Sequence, residues 1–252
     1  MQVTASEVYV EGFVSRCSTV GQPLRGKPSV HGVISSAEHL PTRLLITDDR
    51  AYEDLAVLLP AARAGMINVF EAASRCAHLV DSQPRWRAKA ATAMICRDLR
   101  IVPQLALPNE LTLWPVRRLP SDSPDGVPLQ DAVAVAILAD PAAEERPAAL
   151  AGYLRSLSPS FRLFAAIDGD GAVRATAGWG LFGGQMTVIF VNTHPEWRRR
   201  GIGQAMTAAA LGAAQGAGAR QACLDASDSA LPIYRRLGFE TVAGMMRFSG
   251  PD

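Results

Sequence analysis

The alternation of apolar and polar positions breaks near Leu105 to Glu110, where Pro103 and Pro108 flank a short apolar stretch. Upstream of that break the pattern is patchy. Residues 15–40 are rich in Ser, Gly and Pro and predict loop or irregular hairpin. Arg43 to Thr47 predicts a short strand. Asp48 and Asp49 stand where helix N-caps belong, ahead of Leu55, Val57, Leu58 and Leu59. Met66 to Phe70 predicts a second strand, and helices are expected over Ala72–Val80 and Trp86–Leu99. Residues 1–109 therefore read as a small α/β accessory unit with no constellation of chemically active side chains.

Downstream the pattern is cleaner. Leu111 to Val116 predicts a strand, followed by a Ser/Asp/Pro loop from Ser121 to Pro128. A helix comes next with Leu129, Val133, Ala136 and Ile137 on one face, then a second over Ala148–Leu157 with Pro147 in its first turn. Phe161–Ile167 and Ala172–Trp179 predict strands joined by Asp168-Gly169-Asp170-Gly171, a hairpin turn. Gly183-Gly184 turns the chain into a further apolar strand, Met186 to Val191. The element order from Leu111 is β-α-α-β-β-β.

Composition narrows the classes. Hydrophobic residues make up 48% and charged residues 19%, the balance of a globular protein. The formal charge of +1 supplies no general field for nucleic acid or an anionic membrane, so neither is expected as a partner. Met1 to Phe13 lacks the basic and apolar regions of a secretory signal, and a cytoplasmic location is expected. Cys17, Cys76, Cys96 and Cys223 are scattered without a C-x-x-C pair, and the four histidines lack ligand spacing. No metal site is expected, and the cysteines read as reduced, buried thiols.

The chemistry concentrates in Asn192-Thr193-His194-Pro195-Glu196-Trp197-Arg198-Arg199-Arg200-Gly201-Ile202-Gly203-Gln204-Ala205, which opens an Ala-rich helix ending near Gly216 or Gly218. Three arginines at a helix start are unfavourable, because the unpaired N–H groups there already carry partial positive charge. A bound anion resolves the conflict. Gly201 and Gly203 let backbone N–H groups close on phosphate oxygens, with arginines clamping from outside. The motif follows an apolar strand and is succeeded by another, Gln221–Ala226.

Pro195 to Ala205 resembles the cofactor-binding motif of the GCN5-related N-acetyltransferase (GNAT) superfamily, which has glutamine or arginine at the position of Arg198 and glycines at those of Gly201 and Gly203. The run Ala230-Leu231-Pro232-Ile233-Tyr234-Arg235-Arg236-Leu237-Gly238-Phe239 resembles that family's final helix and the start of the next strand. The resemblance covers about residues 110–249. It implies an α/β (α+β) fold with a mixed, mainly antiparallel sheet flanked by helices over residues 110–252. It also implies acetyl-CoA as cosubstrate. The pantetheine arm then bonds to Val191 and Thr193, and the pyrophosphate falls on the N–H groups of Arg199, Arg200, Gly201, Ile202, Gly203 and Gln204, with Arg198 beside them. Tyr234 is implied as general acid, since a phenol of pKa near 10 matches the departing thiolate in basicity.

Two positions depart from the family. Ser227 stands where an asparagine commonly bonds the cofactor arm, a shorter contact. Gln185 to Asn192 holds no carboxylate, so the general base is left among a water chain, His194, Asp225 and Asp228. Acceptor specificity is expected near Asp140 to Glu145 and at Trp179, Leu181 and Phe182. The acceptor is a small-molecule or peptide amine, and a homodimer is left open. The second reading is a non-catalytic acyl-CoA-binding sensor or interaction protein. A Rossmann dehydrogenase is disfavoured, because the glycine motif follows antiparallel strands.

Overall fold

Period-two apolar runs pair into strands and period-3.6 runs cover them as helices. The computed structural model describes residues 4–17, 24, 26–34, 42–62, 65–119, 122, 124–139, 147–157, 161–182 and 185–250. In chain order the elements are α1 (Ala5–Cys17), β1 (Val30–Val33), β2 (Thr42–Ile46), α2 (Tyr52–Leu58), β3 (Gly65–Phe70), α3 (Ser74–Asp81), β4 (Arg87–Cys96), β5 (Thr112–Arg117), β6 (Val127–Pro128), α4 (Leu129–Ala139) and α5 (Pro147–Ser156). Then come β7 (Arg162–Ile167), β8 (Val173–Phe182), β9 (Gln185–Thr193), α6 (Ile202–Gly216), β10 (Gln221–Ala226), α7 (Leu231–Arg236) and β11 (Glu240–Ser249). The result is the mixed, mainly antiparallel sheet flanked by helices that the sequence implies.

The chain forms two compact units that do not follow chain order. The first comprises Met1–Ile95, Cys223–Pro232 and Glu240–Asp252, and the second Cys96–Ala222 and Ile233–Phe239. In the first unit the strand order is β1-β2-β3-β11-β4-β10. β11, the last strand of the chain, lies antiparallel between β3 and β4. One face of this sheet packs Leu44, Ile46, Ile67 and Val69 against Leu55 of α2 and Val80 of α3. The other packs Leu45, Phe70, Ala91, Ala93 and Met245 against Val8, Tyr9 and Phe13 of α1.

The helix expected over Trp86–Leu99 is instead the strand β4, and this is a correction. The Ala-rich run Arg87–Cys96 has local helix propensity, but every residue from Arg87 to Ile95 is matched to a partner on β11. A strand from the far end of the chain overrides the local preference. α1 and β1 also emerge where the pattern predicted only the absence of a signal or a loop.

The second unit orders its strands β9-β8-β7-β5-β6. Phe161, Leu163 and Ala165 pack with Leu129 and Val133 of α4, Leu154 of α5 and Leu157 just beyond it. Arg118, 6% exposed, sits within this packing and donates to the carbonyls of Leu154 at 2.5 Å and Phe161 at 2.8 Å. Its guanidinium also lies 5.1 Å from the centre of the Phe161 ring. The expected hairpin turn forms: Asp168 N–H donates to Ala172 O, and Gly171 takes a φ of 81°. Gly183-Gly184 and Asp140 to Glu145 lie outside the described residues.

Candidate active site

The apolar strand before the glycine motif is β9, and it carries a bulge. The register passes from Gly178↔Ile189 to Thr176↔Asn192, so Phe190 and Val191 together oppose Ala177. Phe190 sits at φ 61°, in the left-handed region that a non-glycine residue rarely takes. Its carbonyl accepts from the Thr176 hydroxyl at 2.9 Å, and Asn192 Nδ2 donates to the same hydroxyl at 3.3 Å. A bulge of this kind leaves a residue out of the ladder and re-aims the side chains beyond it. Here it falls at Val191, one of the two residues expected to meet the cofactor arm. No glycine in the sequence announced it.

Beyond Thr193 the chain turns through a short 3-10 segment, Pro195–Trp197, and enters α6 at Gly201. Gly201 has φ 74°, which demands glycine-like freedom, and it offers no side chain to cap the helix. The amides of Ile202, Gly203 and Gln204 therefore lack an intrahelical partner, the first helical bond being Ala205 N–H to Gly201 O at 3.0 Å. Gly203 is helical, and a Cβ there would meet Thr193 Oγ1 only at 3.5 Å and Ile233 Cδ1 at 4.0 Å. Both are ordinary contacts, so the fold does not require this glycine. The same distances show that Thr193, Gly203 and the start of α7 converge.

The three arginines divide their work. Arg198 donates from Nε to Thr193 O at 3.2 Å and from Nη2 to Ala139 O at 2.8 Å, so it ties the loop to the last residue of α4. Arg199 is exposed, has φ 65°, and has no side-chain partner among the described residues. Arg200 lies 4.7 Å from the centre of the Trp197 ring, with Arg174 at 5.3 Å from the same ring. Glu110 lies 3.8 Å from Arg200, an exposed and weak pair.

Tyr234 of α7 is 7% exposed and stacks edge-on against Phe239, with ring centres 5.9 Å apart. Its carbonyl also accepts from Leu237 and Phe239 N–H, which closes the helix. Ser227 is exposed; its carbonyl accepts from Ala230 and Leu231 N–H, and its hydroxyl lies 3.2 Å from that of Ser229. Among the residues weighed as base, Asp225 is engaged twice: Tyr9 donates to Oδ1, and Arg247 donates to Oδ2 at 2.7 Å. His194 is half-buried, and its Nδ1 accepts from Glu196 N–H at 3.4 Å. Asp228 is exposed. Trp179 is buried with no partner for its indole N–H, and Leu181 is half-buried.

Among the described residues no group of His, Cys, Asp and Glu is placed to hold a metal ion, and no helix is long and apolar enough to cross a membrane. All four cysteines are buried free thiols. Burial, with the Asp49 carboxylate beside it, pushes the Cys76 thiol up to about 12.

Residues 159–241 match the family model described as acetyltransferase (GNAT) domain. A GCN5-related N-acetyltransferase from Kribbella flavida superposes with TM-score 0.65 at 20% identity, covering 100% of this chain and 97% of its own. A GCN5-related N-acetyltransferase from Sphaerobacter thermophilus gives TM-score 0.58 at 14% identity, with 98% and 93% covered. A functionally unknown conserved protein from Staphylococcus epidermidis gives TM-score 0.65 at 10% identity, with 99% and 98% covered. At such identities the structures establish a shared fold. No curated protein matches the sequence significantly. The stretch that matches, residues 159–241, contains the whole glycine motif and Tyr234, so over that third of the chain the sequence is similar to the acetyltransferase (GNAT) domain.

Proposed function

We propose that the chain is an acetyl-CoA-dependent N-acetyltransferase acting on a small-molecule or peptide amine, with residues 110–252 as the catalytic part and residues 1–109 as an accessory part. One observation carries the reading. Gly203 is a poorer helix former than alanine, yet no neighbour needs the space a Cβ would fill. Close approach of a phosphate to the open amides of Ile202, Gly203 and Gln204 accounts for it.

In this reading the pyrophosphate lies on the amides from Arg199 to Gln204, and Arg199 and Arg200 face it with their charges. Arg198 holds the loop in shape through Thr193 and Ala139. The pantetheine arm bonds to the backbone of Val191 and Thr193 and reaches Ser227. The amine lone pair attacks the thioester carbonyl, the C–N bond forms and the C–S bond breaks. The thiolate takes a proton from Tyr234, and the ammonium proton leaves through water, because no carboxylate lies on β9. The four buried free thiols support a reducing, cytoplasmic setting.

The test is calorimetric titration of acetyl-CoA into wild type, Gly203→Ala and Gly203→Asp. Saturable binding that weakens in Gly203→Ala and vanishes in Gly203→Asp is expected. Gly203→Ala should at the same time raise thermal stability by up to about 1 kcal/mol. Equal binding by all three would remove the phosphate from this helix start.

A further inference from the structure

Three stretches of the second unit meet at the end of α6 away from the glycine loop, and none of them serves the proposed acyl transfer. Leu99 N–H donates to Arg220 O at 3.0 Å, which ties the turn around Leu99 to the residues that follow α6. The Ile101 side chain lies over Gly238, where a Cβ would come within 2.9 Å of Ile101 Cδ1. Gly238 has φ 87° and donates its N–H to Arg235 O at 3.1 Å, so the end of α7 is the third member. α6 is 15 residues long and separates this junction from Gly201 by roughly 22 Å along its axis.

Positive charge is gathered here although the chain as a whole is balanced, with 25 Lys and Arg against 24 Asp and Glu. Residues 97–101, 218–222 and 233–239 contain Arg97, Arg100, Arg220, Arg235 and Arg236, and Asp98 as the one acid. Asp98 is engaged by Arg100, whose Nη2 lies 2.7 Å from its Oδ2. Arg220, Arg235 and Arg236 are exposed and form no hydrogen bond or ion pair with any described residue. The dipole of α7 favours Arg235 and Arg236 in its last turn, but it gives no reason for Arg220. Beside these charges stands Ile101, an aliphatic side chain that is 62% exposed.

We propose that this junction is a docking surface for a protein partner that presents an acidic segment with an aliphatic side chain between its carboxylates. The guanidinium forks of Arg220, Arg235 and Arg236 each donate to both oxygens of a carboxylate, and the aliphatic group covers Ile101. A second copy of this chain does not fit, because a two-fold contact sets arginine against arginine. Nucleic acid fits less well. The aromatic residues of the three stretches, Tyr234 and Phe239, are buried and unable to stack on bases, and a net charge of +1 adds no wider field.

The experiment is fluorescence anisotropy on the full chain, with three labelled probes. They are a peptide with glutamates on both sides of a central leucine, the same peptide with a central serine, and oligothymidylate. The leucine peptide should bind saturably, about threefold or more tightly than the serine peptide, and weaken as salt is raised. Replacing Arg220, Arg235 and Arg236 together by glutamine should weaken it by about tenfold or more, while the melting temperature stays within about 2 °C. Ile101→Ser should erase the preference for leucine over serine. No saturable binding of the leucine peptide up to about 1 mM, or binding that the triple variant leaves unchanged, overturns the docking surface. Equal binding of the two peptides overturns the part given to Ile101. Oligothymidylate bound more tightly than either peptide overturns the protein partner in favour of nucleic acid. None of these measurements uses acetyl-CoA, so the result stands apart from the acetyltransferase reading.

Discussion

The guanidinium of Arg198 donates to the carbonyl oxygen of Ala139 at 2.8 Å, so the loop that opens α6 also closes the last turn of α4. A cation at a helix C-terminus is favourable with the helix dipole, and the second bond, to Thr193 O, holds the arm in place. Both groups are exposed, which limits the gain. Arg198→Ala should cost about 1 kcal/mol and lower the melting temperature by roughly 2–4 °C without any ligand. Scanning calorimetry with and without acetyl-CoA separates this from a role in binding alone, which would leave the ligand-free curve where it was.

Tyr234 is positioned by packing against Phe239 and by the start of α7 meeting Gly203 through Ile233. Tyr234→Phe keeps the ring and removes the proton. Turnover should fall on the order of 10²-fold, with KM for acetyl-CoA little changed. Steady-state kinetics across several amines checks this, and unchanged kcat would move the proton donor elsewhere.

Arg118 satisfies the carbonyls of Leu154 and Phe161 from inside the packing of α4 and α5, and burial pushes its guanidinium below the usual arginine range. Arg118→Leu fits the apolar surroundings but leaves those carbonyls without donors. A loss of about 3 kcal/mol is expected, and Arg118→Lys should recover only part, since one ammonium cannot reach both ends of the fork. Urea denaturation followed by tryptophan fluorescence measures it.

His31 of β1 is half-buried, and desolvation lowers its pKa below the ordinary 6.5, with Asp48 acting weakly in the opposite sense. A histidine whose folded pKa is depressed favours the folded state in its neutral form. Its contribution is therefore complete above pH 6.5 and is lost as the pH falls through the lower folded value. The unfolding midpoint of the wild type should drop as the pH falls below about 6.5, and His31→Asn should flatten that drop. Asp48, Asp122 and Asp168, all held below the usual carboxylate range, act only at lower pH.

Much of the second unit was legible because its signals are local. The turn at Asp168 to Gly171, Pro147 at the head of α5 and the glycines before and after Ile202 each impose a backbone geometry on their own neighbours. Asp48 could likewise be read as a cap, and it accepts from Arg50 N–H at 3.0 Å. In the candidate site, the order of strand, glycine motif, helix and tyrosine was readable for the same reason.

What the chain could not announce by itself depends on partners far away in sequence. β4 is a strand because β11 lies beside it, and alanine-rich residues adopt whichever pairing tertiary contacts reward. The bulge at Phe190 and Val191 comes from the register of β8 against β9, with no glycine to mark it. The ties of Arg198 to Ala139 and of Tyr9 to Asp225 join residues that only folding brings within hydrogen-bond reach. Local backbone chemistry thus determined where the glycine loop begins, and long-range pairing decided which side chains surround it.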